Sequence, residues 1–100
     1  EVKISNEFRY NGRLVDAEMP RFGMNLQIPK NYSNVSWYGR GPHENYIDRK
    51  DSAFMGIYKS SVGELGFDYS RPQENGYRTR TKWLELKDDN GVGIKILGDP

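Results

Sequence analysis

Apolar and polar residues alternate along most of this chain, and the period is two. Val2, Ile4, Phe8 and Tyr10 interleave with Lys3, Ser5, Glu7 and Arg9, which predicts a strand with one dry face. Asn11-Gly12 follows as a type I′ hairpin signal, and a turn there would set Phe8 against Val15 and Ile4 against Met19. Phe22, Met24, Leu26 and Ile28 alternate with Gly23, Asn25 and Gln27, the plainest strand pattern in the sequence, closed by Pro29. Val35 and Trp37 alternate with Ser36 and Tyr38 in a strand expected to end near Tyr38. Phe54 to Tyr58 predicts another, and Tyr77 to Lys87 a long one. Phe67 and Tyr69 are expected as buried aromatics between them.

The last turn can be chosen by register. A two-residue turn at Asn90-Gly91 would set Leu84 and Leu86 against Leu97 and Lys95. A three-residue loop, Asp89-Asn90-Gly91 with Gly91 left-handed, sets them against Ile96 and Ile94 and keeps four aliphatics on one face. No stretch supports a long helix. Five to seven strands joined by turns predict an all-β fold, an antiparallel β-sandwich or a piece of one.

One run fits no period: Trp37-Tyr38-Gly39-Arg40-Gly41-Pro42-His43-Glu44-Asn45-Tyr46-Ile47-Asp48-Arg49. Gly39 and Gly41 permit positive φ, and Pro42 restrains Gly41, so the strand should stop and the chain turn. Asp48 is placed to cap a short helical turn through Ala53. Arg40 and Arg49 can fork onto Glu44, Asp48 or a ligand, and with the two carboxylates the run becomes an ion-paired elbow.

With two neighbours, this run resembles a signature of the C-terminal domain of bacterial β-galactosidases in glycoside hydrolase family 2. Pro20-Arg21-Phe22-Gly23-Met24 resembles the strand before the signature. Pro72-Gln73-Glu74-Asn75-Gly76 with Arg78 resembles the second short motif, and the three stand in the family's order. The resemblance implies a large β-sandwich related to galactose mutarotases, of which this chain would be the middle portion. It implies a parent enzyme that hydrolyses terminal β-D-galactosides with retention, and a supporting role here. The family's two catalytic glutamates sit in a separate barrel domain, and the active-site aromatic of this domain lies beyond the present C-terminus. No residue here inherits a catalytic role. No cofactor is expected in this stretch; divalent and monovalent cations used by such enzymes belong to other domains. The expected partners are the remaining domains of the parent.

Composition narrows the alternatives. One hundred residues allow one domain, and 35% hydrophobic residues make a lean core that 13% aromatics partly compensate. Fifteen basic against fourteen acidic residues argue against nucleic acid, and Arg78, Arg80 and Lys82 read as a solvated strand face. With no cysteine there is no disulfide or thiol chemistry, and no apolar run reaches membrane-spanning length. The start at Glu1 and stop at Asp99-Pro100 read as a piece of a longer chain, whose compartment (bacterial cytoplasm or periplasm) stays open. An incomplete sandwich leaves edges and apolar faces uncovered, so self-association through them is expected.

The candidate chemistry is spare. Nucleophile elbows and phosphate loops are missing: Gly39-x-Gly41 lacks a third glycine. Glu44 and Glu74 are the only obvious pair for glycoside hydrolysis. His43, Glu44, Asp48 and Glu74 have metal-ligand chemistry. Trp37, His43, Glu44, Asn45, Arg49 and Glu74 would suit a sugar if the two motif loops meet. That set makes an autonomous carbohydrate-binding module, or a mutarotase-like epimerase, the rival reading. The plain alternative for Arg40, Glu44, Asp48 and Arg49 is a salt-bridged turn.

Overall fold

A computed structural model describes residues 1–9, 12 and 22–98. These residues are all-β apart from one 3-10 turn at Val62–Glu64. Strands β1 (Asn34–Gly41), β2 (Phe54–Ser61), β3 (Trp83–Lys87) and β4 (Gly93–Leu97) form one open antiparallel sheet in the order β2-β1-β3-β4. This is the architecture of a β-sandwich fragment with one layer in view.

Alternation along β1 decides the core. Val35, Trp37, Gly39 and Gly41 face inward and are buried, while the residues between them are exposed or half-buried. Trp37 lies between Tyr58 of β2 and Leu84 of β3, and Val35 between Ser60 and Leu86. The Trp37 and Tyr58 rings sit 5.5 Å apart. Gly41 is where they need room: a Cβ there would meet the Tyr58 ring at 2.7 Å and Trp37 at 3.0 Å. Its role is close approach, since the glycines with positive φ are Gly76 and Gly91. β1 accordingly runs past Tyr38 to Gly41, where it still pairs with Phe54 and the chain turns at a cis Gly41–Pro42 bond.

The β3–β4 hairpin follows the three-residue solution. Leu84 pairs with Ile96 and Leu86 with Ile94, and Gly91 has φ +80°. The Asp88 carboxylate fastens the loop by accepting from the backbone N–H groups of Asn90 and Val92, each at 2.9 Å.

Other expectations are corrected. Residues 1–9 and 22–28 form no strand, and Phe22, Met24 and Leu26 are each 56% exposed. Alternation needs a partner ladder, and no described strand lies beside them. Asn11, Val15 and Met19 of the first hairpin, and Pro20-Arg21 of the first motif, lie outside the described residues. Four strands are found among the described residues, against five to seven. The Tyr77–Lys87 strand is only Trp83–Lys87, because the chain turns at Thr79-Arg80, where Arg80 has φ +57°. No helical turn starts at Asp48: single turns close with Arg49 N–H on Tyr46 and Ala53 N–H on Lys50, and the Asp48 carboxylate goes to Arg49 instead. Phe67 is exposed and Tyr69 half-buried, since both lie on a loop at the rim.

The sheet's other face is amphipathic in rows. Ile57, Tyr38, Trp83 and Leu97 stand side by side across all four strands. Beside them run Lys59, Ser36, Glu85 and Lys95. Ile57 and Leu97 are 65% and 72% exposed, so this apolar row is open among the described residues.

Candidate functional site

β1 delivers the elbow to the rim of the sheet, and the second motif closes over it. Asn45 joins the two and is 0% exposed. Its Nδ2 donates to the His43 carbonyl at 3.0 Å and to the Arg40 carbonyl at 3.4 Å. Its Oδ1 accepts from the Thr79 N–H at 2.9 Å and the Thr79 hydroxyl at 2.7 Å, and its own N–H donates to the Tyr77 carbonyl at 2.8 Å. Every polar atom of the amide is used on protein, which is the condition for burying one.

Glu44, 7% exposed, is paired with Arg49 in a fork: Nε to Oε1 at 3.0 Å and Nη2 to Oε2 at 3.2 Å. The Tyr69 hydroxyl also donates to Glu44, and Arg49 donates to the Glu74 carbonyl. Arg49 Nη1 reaches Asp48 at 3.1 Å. The guanidinium lies 5.4 Å from the centre of the Tyr46 ring and 5.1 Å from that of Tyr69. Its pKa is raised, first by the hydrogen bond to Glu44 and then by the charges of Glu44 and Asp48. Arg40, expected in this ion-paired set, lies apart. It donates to the carbonyls of Lys50 at 2.7 Å and Ala53 at 3.1 Å, because it emerges beside Met55 of β2.

Trp37 is 3% exposed and donates through Nε1 to the Arg40 carbonyl at 3.1 Å. Arg78 lies 5.2 Å from its ring centre and Tyr58 packs against it, so the indole has no open platform. Arg78 is therefore part of the core lid, and not the solvated face its alternation suggested. It donates to the carbonyls of Leu65 (2.6 Å), Gly76 (3.1 Å) and Pro42 (3.2 Å), and burial lowers its pKa.

Of the sugar-suited residues, the fold brings Glu44, Arg49 and the Glu74 carbonyl onto one another, with Asn45 beside them bonded to His43, Arg40, Tyr77 and Thr79. His43 stands outside, exposed, 3.1 Å from the Ser52 hydroxyl. No group of three metal-ligating side chains converges among the described residues. Sequence reading missed Tyr69 and Thr79 as partners, and neither position carries a signal of its own. Asn75, quoted only as part of a motif, bridges the Phe67 N–H (2.8 Å) and carbonyl (2.6 Å). It ties its own loop much as Asn45 ties the elbow.

Comparison with known proteins follows the same stretch. A family model described as the beta galactosidase small chain matches residues 1–98. A beta-galactosidase of Priestia megaterium is 43% identical over 83 residues, which is 83% of this chain and 8% of that protein. One of Vibrio cholerae is 48% identical over 68 residues, 68% of this chain and 7% of that protein. One of Kluyveromyces lactis is 35% identical over 98 residues, 97% of this chain and 9% of that protein. The likeness thus reaches beyond bacteria and fixes no source. The chain spans no more than about a tenth of the curated relatives it matches. With the family model covering nearly its whole length, this chain belongs to the β-galactosidase small-chain family.

Proposed function

We propose that this chain is a non-catalytic supporting segment of a β-galactosidase, the middle portion of its C-terminal β-sandwich domain. The parent hydrolyses terminal β-D-galactosides, and its acid and nucleophile lie in the portion of the enzyme outside this segment. The observation that carries the reading is the state of Glu44. Both carboxylate oxygens are bonded to Arg49, Tyr69 adds a third donor, and the side chain is nearly closed to solvent. A glycosidase acid or nucleophile must meet a sugar and exchange a proton or form a bond. A carboxylate so enclosed does neither and serves to hold the loop.

The open row Ile57, Tyr38, Trp83 and Leu97 supports the same reading, since an apolar surface of this kind suits a segment that packs within a larger body. The purified chain should release no nitrophenol from a nitrophenyl β-galactoside. Saturable release, abolished by Glu44→Gln, would overturn the assignment.

A further inference from the structure

The cleft beside the Thr79-Arg80 turn has chemistry that the supporting role leaves unused. It is a shallow, open space of about 290 Å3 lined by Tyr46, Ile47, Lys50, Tyr77, Thr79 and Arg80. Tyr46 and Tyr77 meet edge to face, 5.1 Å between centres, and form its aromatic side. Lys50 and Arg80 bring two positive charges, and no carboxylate is among the lining residues. Among the described residues Lys50 pairs with the fully exposed Asp51 at 3.6 Å, and Arg80 has no ion pair or side-chain hydrogen bond.

Arg80 is also held where its backbone prefers glycine, at φ +57°. The flanking bonds enforce this. The Thr79 carbonyl accepts from Arg40 N–H at 3.1 Å, and Lys82 N–H donates to Tyr38 at 2.7 Å. The Thr79 N–H is on Asn45, and the Thr81 hydroxyl is on the Arg78 carbonyl at 2.9 Å. A conformation imposed from both sides presents a long cation at a cleft, and strained positions of this kind cluster at ligand clamps.

We propose that this cleft docks an acidic side chain from the remainder of the β-galactosidase polypeptide. Its carboxylate would sit between Lys50 and Arg80, and its stem against Tyr46 and Tyr77. Two cations with no carboxylate among the lining residues match an anion such as a carboxylate by charge, which a neutral sugar lacks. The space admits a carboxylate side chain together with its stem. Nine tenths or more of each matched relative lies outside this segment, so the parent has ample chain to supply it. This inference rests on the supporting role proposed above.

The test is a titration of the isotope-labelled chain with acetyl-Gly-Glu-Gly-amide, read by the amide resonances of Lys50, Thr79, Arg80 and Thr81. Acetyl-Gly-Gln-Gly-amide and acetate form separate arms. The Glu peptide should shift those amides saturably, and at least ten-fold more tightly than either control. Arg80→Gly, which the backbone accommodates, should weaken it at least ten-fold, and Lys59→Gln should not. A flat titration, equal binding of the Gln peptide, or indifference to Arg80→Gly would overturn the proposal. Acetate binding as tightly as the Glu peptide would overturn the polypeptide source. None of these outcomes touches the supporting role, which is judged by galactoside turnover.

Discussion

Asn45 shows what a single buried amide can do for a lean core. It makes four side-chain hydrogen bonds, and truncation would strand the Thr79 N–H and hydroxyl together with the His43 carbonyl, while the Arg40 carbonyl keeps its Trp37 donor. Asn45→Ala should therefore cost about 2–4 kcal/mol in urea unfolding, the penalty of several orphaned buried groups with a cavity added. A loss under about 0.5 kcal/mol would mean that water replaces the amide. Arg80 predicts the opposite sign. A non-glycine residue in the left-handed region costs roughly 1–2 kcal/mol, and glycine gives back about 0.5–1 through unfolded-chain entropy. Arg80→Gly should raise stability by up to about 1 kcal/mol in the same measurement, even as it removes a docking cation. Neither residue could have been weighed from sequence alone. Asn45 was visible as part of an aperiodic run, but its partner Thr79 is 34 residues away and sits in what alternation predicted to be mid-strand.

Strands were legible where a pattern had a partner. Val35 and Trp37 announced the core strand, and the four aliphatics Leu84, Leu86, Ile94 and Ile96 were enough to select the hairpin register. Phe22 to Ile28 carried the cleanest alternation and yet form no strand, because periodicity reports a willingness to pair and says nothing of a neighbour. The hairpin also carries a pH prediction. Glu85 is bonded to Lys87 at 3.0 Å and Lys95 at 3.3 Å, and those hydrogen bonds, more than the charges, lower its pKa. A carboxylate with a lowered folded pKa adds stability above its unfolded pKa and loses it as pH falls through the folded value. The wild type should thus exceed Glu85→Gln in urea midpoint at neutral pH, and the gap should close on acidification below pH ~4. A gap that widens in acid would contradict the assignment.

Among the described residues the sheet buries one face around Val35 and Trp37 and leaves the other open at Ile57 and Leu97. The apolar row Ile57, Tyr38, Trp83 and Leu97 ends at β2 and β4, whose outer edges have no partner strand among the described residues. In isolation these surfaces should draw copies together, and sedimentation across micromolar concentrations should show concentration-dependent mass. Ile57→Lys with Leu97→Lys should return the chain to monomer by placing charge at both ends of the row. Strictly monomeric behaviour of the unmodified chain would count against the open face as an interaction surface.

The amide of Asn45 also sets what can move. Because one side chain holds the elbow by its carbonyls and the 79–80 turn by its amide proton and hydroxyl, neither segment can swing away while the other stays put. Solvent exchange at Asn45 and Thr79 should share one opening event, and whatever grips Arg80 from outside would be felt at the root of β1.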